Sequence, residues 1–283
     1  MNAPARHLAP LTDTAPPEFP PFWAVAWGGD VHGLWAQMAV AAVQQRLRWI
    51  PPGEFLMGSP QDEPQSYDDE HPRHRVILTQ GYWLADTACT QALWQAAMGG
   101  NPSDFQDAPE NPVENVSWED VQGFLEHLGK LTGIKAELPS EAQWEYACRA
   151  GTTTPFWWGE RLTVGDANYD GSLPYNDGDK GEDRQRTLPV KTFCPNPWGL
   201  WQMHGNVWEW CRDGRRTYAE TVAVDPEGPP EGSRALRGGS WVGDGGALRA
   251  AHRRGSPPGR RSRDIGFRFL LRSPAPGARR AGL

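Results

Sequence analysis

The sequence predicts an α+β domain with little regular secondary structure and long loops, and three observations carry that expectation. Strand-like runs cluster before residue 85, and three capped helices follow before Gly151. Beyond Gly151, over a hundred residues show neither helical nor strand periodicity until a last strand at Asp264–Leu271. The 32 glycines and 27 prolines lie in no low-complexity tract, which marks many turns rather than a linker.

Taken in order, residues 1–20 read as a disordered arm, and Pro4, Pro10, Pro16 and Pro17 break any apolar signal-peptide core. The folded domain is expected over 21–272, with a disordered tail over 273–283. Gly33–Ile50 and Glu54–Met57 read as strands interrupted by Pro51, Pro52 and Gly53. His74–Thr79 and Tyr82–Leu84 read as two more, with His74 a strand residue. A helix is predicted over Gln91–Met98, capped by Thr90 and stopped by Gly99. A second begins at Ser117, which has capping-box spacing to Asp120, and ends before Gly133. Its Val121, Phe124, Leu125 and Leu128 share one face. The third begins at Ser140, paired with Gln143, and buries Trp144, Ala147 and Cys148. Cys148 therefore reads as a small core residue rather than a reactive thiol.

The bulk chemistry narrows the function classes. A chain of 283 residues, 38% hydrophobic and 22% charged, can bury a sizeable core. Fifteen tryptophans supply much of the apolar area such a core needs. Cys89, Cys148, Cys194 and Cys211 form no C-x-x-C pair, so neither a zinc knuckle nor a redox motif is indicated. With no apolar run long enough to span a membrane, a cytoplasmic protein without membrane insertion is expected. The net charge of −7 disfavours nucleic acid as the main partner. Residues 234–280 nevertheless hold twelve arginines, no lysine, and only Asp244 and Asp264 as acids. A basic C-terminal face on an acidic body is expected.

Six segments in order resemble the formylglycine-generating-enzyme, or sulfatase-modifying-factor, family. They are Trp49-Ile-Pro-Pro-Gly-Glu-Phe-Leu-Met-Gly-Ser59, Asn115-Val-Ser-Trp-Glu-Asp120, the stretch from Leu138 to Gly151, Gly205-Asn-Val-Trp-Glu-Trp210, Leu236-Arg-Gly-Gly-Ser-Trp241 and Ile265-Gly-Phe-Arg268. The resemblance implies a C-type-lectin-type fold, which itself accounts for the long loops. Oxidases of the family bind copper through two cysteines that follow the Arg-Gly-Gly-Ser element, since copper(I) is soft and suits thiolates. Here the corresponding positions fall on Gly243 and near Leu248, and no cysteine follows Cys211. Ser240 is retained, but copper-dependent oxidation is not expected. Iron-dependent relatives use a histidine triad, and no helical histidine pair occurs here.

The resemblance also implies structural calcium. One set of positions is Asn168, Tyr169, Asp183 and Gln185, beside the acidic segment Asn176–Asp183. A second is Gln202, Gly205, Val207 and Glu209, where Gln202 departs from the usual asparagine. Hard oxygen donors suit calcium, and a bound ion would pin loops that lack a ladder of their own. Without the resemblance, the acidic segment is a solvated turn and Glu209 a buried carboxylate paired with an arginine.

Residues 242–264 are peculiar: they contain no Lys, Glu, Gln, Met or Trp. The segment resembles the variable region of lectin-fold proteins diversified by retroelements, in which template adenines are randomised. A GC-rich gene or a plain solvated loop would give the same composition. As a ligand surface, the segment would present Val242, Gly243, Asp244, Gly246, Leu248, His252, Arg254, Ser256, Arg260, Ser262, Arg263 and Asp264. Arg249, Arg253 and Arg268 read as frame residues. With Arg261 added, such a surface prefers a macromolecular ligand, a protein with an acidic patch. Nucleic acid is the weaker candidate, because no aromatic residues interleave to stack bases. The sequence leaves the oligomeric state open. The expectation is a non-catalytic ligand-binding protein, with an enzyme or regulatory subunit using a non-copper site as the alternative.

Overall fold

The computed structural model describes residues 14–272. A six-stranded sheet carries much of the core, in the order β1 (Ala26–Asp30), β2 (Gly33–Val40), β3 (Val43–Ile50), β6 (Tyr82–Ala85), β13 (Leu270–Leu271), β7 (Ala136–Glu137). The C-terminal strand β13 pairs with β6 on one side and β7 on the other, so the end of the chain completes the sheet that its beginning starts. A three-stranded sheet joins β4 (Gly53–Met57), β5 (His74–Leu78) and β9 (Ala223–Val224). A four-stranded sheet runs β11 (Arg253–Ser256), β10 (Arg234–Arg237), β8 (Trp208–Gly214), β12 (Ile265–Gly266). Among the described residues, no helix is long and apolar enough to cross a membrane.

The helices form where the caps place them. Helix α1 (Gln91–Met98) starts at Thr90, whose side chain accepts from the Leu93 amide, and ends at a left-handed Gly99. Helix α2 (Trp118–Thr132) opens with a complete Ser117–Asp120 capping box and buries Val121, Phe124, Leu125 and Leu128. Helix α3 (Glu141–Arg149) opens with a Ser140–Gln143 box, and every one of its residues is buried. Its left-handed residue is Ala150, one position before the expected Gly151 stop.

Four differences from the expected elements have physical reasons. The Gly33–Ile50 run is a tight hairpin, β2 and β3, turning at Ala41, a reversal that no Gly, Pro, Asn or Asp marks in the sequence. The final strand is two short pieces, β12 and β13, because Phe267, Arg268 and Phe269 between them turn their side chains into the core. Strands β1, β8, β10 and β11 lie where no regular run was expected, and each is rich in Gly, Arg or Trp rather than aliphatic residues. The described part of the expected arm lies against the domain. The Phe19 ring stacks on Trp83 at 6.1 Å, and the Thr14 carbonyl accepts from Trp49 Nε1 at 2.7 Å, so packing begins before residue 21. Residues 1–13 and the expected tail over 273–283 lie outside the described residues.

The long loops after α3 are held by asparagine side chains instead of ladders. Asn206 bonds both the N–H and C=O of Leu188, at 2.9 and 2.8 Å, and accepts from Asn168 Nδ2 at 3.2 Å. Asn196 donates to Ala147 O at 2.8 Å and accepts from the Trp198 and Leu200 amides at 3.0 and 3.1 Å. Each amide supplies the pairing that buried backbone requires.

Candidate ligand surface

Part of the expected basic face is spent inside the molecule. Arg237, Arg249, Arg253 and Arg268 are buried and paired with acids from the first part of the chain or from β8. Arg249 bridges Glu63 at 2.7 Å and Glu70 at 2.6 and 2.7 Å. Arg268 grips Glu209 through two bonds of 2.6 and 2.7 Å. Arg253 forks onto Glu141, and Arg237 reaches Glu145. Burial alone would raise the Glu70 carboxyl, but hydrogen bonds from His252, Arg249 and Ser59 hold it well below the usual range. Arg249, Arg253 and Arg268 are therefore frame residues, as expected. Arg261 leaves the surface set as well: it is exposed but makes two bonds to Asp120, at 2.7 and 2.6 Å.

This frame carries the segment 242–264. Gly238 and Gly239 turn it with φ of 95° and 73°. A Cβ on Gly239 would lie 2.7 Å from both Ala247 O and Leu248 Cδ1, so only glycine fits. Asp244 caps the 3-10 turn Gly245–Leu248 by accepting from the Ala247 amide at 2.9 Å. Trp241 Nε1 donates to Arg263 O at 3.2 Å, and the Arg263 guanidinium lies 5.1 Å from the Trp241 ring. Arg254 lies 5.9 Å from Trp208.

Of the twelve expected contact residues, Val242, Asp244, Arg254, Arg260 and Arg263 are exposed, and Gly243, His252 and Ser262 are half-buried. Four are buried and cannot meet a ligand directly. Leu248 packs with Phe156, Leu162 and Tyr175 in a small core. Gly246 is pressed against Gln65, whose Oε1 would lie 2.3 Å from an added Cβ. Ser256 is enclosed at the end of β11. Asp264 accepts from Ser240 Oγ at 3.0 Å and from the Ser262 hydroxyl. Among the described residues, Arg254, Arg260 and Arg263 have no carboxylate partner.

Two neighbours were missed because they lie far away in sequence. Tyr67 is 54% exposed and sits 5.2 Å from the His252 ring, which also touches Trp208 at 5.6 Å. Glu114 accepts from the Asp104 and Phe105 amides at 2.6 and 2.9 Å, and burial pushes its carboxyl up to about 7.

Gly243 stands at the expected position of the first cysteine, and Leu248, near the second, is fully enclosed. Cys148 lies 3.6 Å from His204 Nε2 inside the core, where burial pushes its thiol up to about 12.

The two calcium sets fare differently. In the first, Asn168 Oδ1 is buried with no partner among the described residues, and an isolated bridge brings Asp183 to Asp170. Gln185 takes a left-handed turn, its amide donating to Asp183 Oδ1 at 3.1 Å. The Tyr169 ring is buried, and its hydroxyl has no partner among the described residues. The open Asn168 oxygen suits a hard cation. The second set does not. Both Glu209 oxygens are taken by Arg268 and Trp144 Nε1, and a cation would have to share that carboxylate with a guanidinium. Gln202, Gly205 and Val207 are left without that acid, although both amide atoms of Gln202 lack partners among the described residues.

Fold and site together define a lectin-type scaffold that displays a loop surface over a buried ion-pair frame. The family model for the sulfatase-modifying factor enzyme 1-like domain matches residues 36–273, and the chain belongs to that family. It is 39% identical over 189 residues to the formylglycine-generating enzyme of Streptomyces coelicolor, covering 62% of this chain and 57% of that one. It is 34% identical over 196 residues to the inactive C-alpha-formylglycine-generating enzyme 2 of Bos taurus, covering 66% and 58%. The chain thus spans less than two thirds of either relative. Among solved structures it resembles Treponema denticola variable protein 1, with a TM-score of 0.71 and 27% identity over 84% of this chain and 99% of that one. PvdO from Pseudomonas aeruginosa follows with a TM-score of 0.68 and 26% identity, over 84% and 98%. The C-type-lectin-type fold of the family is thereby shown.

Proposed function

We propose that this protein is a non-catalytic ligand-binding protein that displays a variable loop surface between Trp241 and Ile265, diversified by a retroelement. One observation carries the reading. Where family oxidases need two thiolates, this chain has a glycine and, near the second position, an enclosed leucine, and the same segment exposes Arg254, Arg260 and Arg263 without carboxylate partners among the described residues. Loops on a rigid frame can change without unfolding the core. The similarity to a protein named as variable and to one named as inactive supports the same reading. The ligand is a protein with an acidic patch, met by Arg254, Arg260 and Arg263. Calcium at Asn168, Tyr169, Asp183 and Gln185 belongs to the reading as a loop staple. The four unpaired cysteines suit a reducing, cytoplasmic setting.

The test is chemical. Purified protein incubated with copper and a Cys-x-Pro-x-Arg peptide is expected to leave the thiol intact. Formylglycine in that peptide, found by mass spectrometry at multiple turnovers, would make the chain an enzyme and end the proposal.

A further inference from the structure

A cleft of about 390 Å³ lies next to the Gly245–Leu248 turn. It is lined by the loop after β4, the loop after α3, and Tyr175, whose backbone packs against Gly245. Its charged lining residues are all acids: Asp62, Glu63 and Glu160. Asp62 and Glu160 are exposed and have no ion-pair partner among the described residues.

Two buried polar atoms belong to the same lining. Glu63 is 7% exposed, and only its Oε1 is used, by Arg249 at 2.7 Å and Ser59 at 3.2 Å. Its Oε2 has no partner among the described residues. Tyr175 is 3% exposed, and its hydroxyl has none either. A buried acceptor and a buried phenol, each without a partner, are costly unless a ligand completes them. The other charge near Glu63, Arg249, is spent on Glu63 and Glu70 from within the core.

The shape of the ligand follows from the lining. Among the described residues, no three His, Cys, Asp or Glu side chains are grouped to hold a metal ion. Pro60, Pro64 and Pro155 add rigid apolar surface for an aliphatic stem. A guanidinium presents several donors in one plane and suits carboxylate and phenol oxygens together.

We propose that this cleft binds an arginine side chain of a protein or peptide ligand. The site is separate from the arginine surface and opposite to it in charge. It does not need that surface to have a ligand. A partner that used both would carry an acidic patch with an arginine at its margin.

The test uses the full chain titrated with N-acetyl-arginine amide by calorimetry, with the neutral isostere N-acetyl-citrulline amide as control. Saturable binding on the order of millimolar is expected for arginine, as befits a single side chain, and none for citrulline. The exposed pair Asp62→Asn and Glu160→Gln should weaken binding by roughly tenfold, since each removes one carboxylate facing the cation. Their melting temperature should stay unchanged. Equal binding of citrulline, no saturation by arginine, or a double variant that binds like the parent each overturns the proposal. Displacement of arginine by micromolar calcium would assign the cleft to a metal and overturn it too.

Discussion

Arg249 and Arg254 lie five positions apart in one sequence segment and do opposite work. Arg249 is fully buried between Glu63 and Glu70, whereas Arg254 is exposed over Trp208. Removing one partner of a buried pair leaves the other charged and unpaired, which costs about 3–5 kcal/mol. Arg249→Ala is therefore expected to lose that much stability in urea unfolding, while Arg254→Ala stays within about 0.5 kcal/mol. Equal losses would mean that Arg254 also belongs to the frame. At this scale the sequence was only half legible. The run of arginines was visible, but which ones point inward depends on acids such as Glu63, Glu70 and Glu141, far away along the chain. For the same reason Leu248 and Asp264, which composition marks as surface, prove to be buried, Leu248 in a small core and Asp264 beneath the Ser240 and Ser262 hydroxyls.

Among the elements, the three helices were legible because N-caps, two of them capping boxes, and terminal glycines are local signals. The strands of the four-stranded sheet were not. Their residues, such as Trp208-Glu-Trp-Cys-Arg in β8 and Arg234–Arg237 in β10, are chosen for ion pairs and aromatic packing on both faces, so no alternation survives. The long loops depend on Asn168, Asn196 and Asn206, single residues with no periodicity to betray them. The unpaired Asn168 Oδ1 is where an ion would complete that network. Chelation of divalent ions is expected to lower the Tm, and added calcium to restore it, because an ion bound only by the folded state stabilises it. A Tm indifferent to both treatments would remove calcium from the account.

Across the whole molecule, the charge imbalance along the chain is a stitching device. Arginines of the C-terminal fifth reach back to Glu63, Glu70, Glu141 and Glu145, and β13 closes the first sheet. The core is thereby fixed on both sides of the segment 242–264, where Val242, Arg254, Arg260 and Arg263 are exposed and Asp244 is exposed but caps a turn. The central claim is that these positions vary to meet ligands. Its most direct test is to sequence the DNA flanking the gene. The account predicts a near-copy of the stretch encoding Leu236–Arg268 beside a reverse transcriptase, differing where the copy has adenines, with the differing codons falling on the exposed positions. The absence of any such copy, or differences concentrated on Arg249, Arg253 and Arg268, would contradict it.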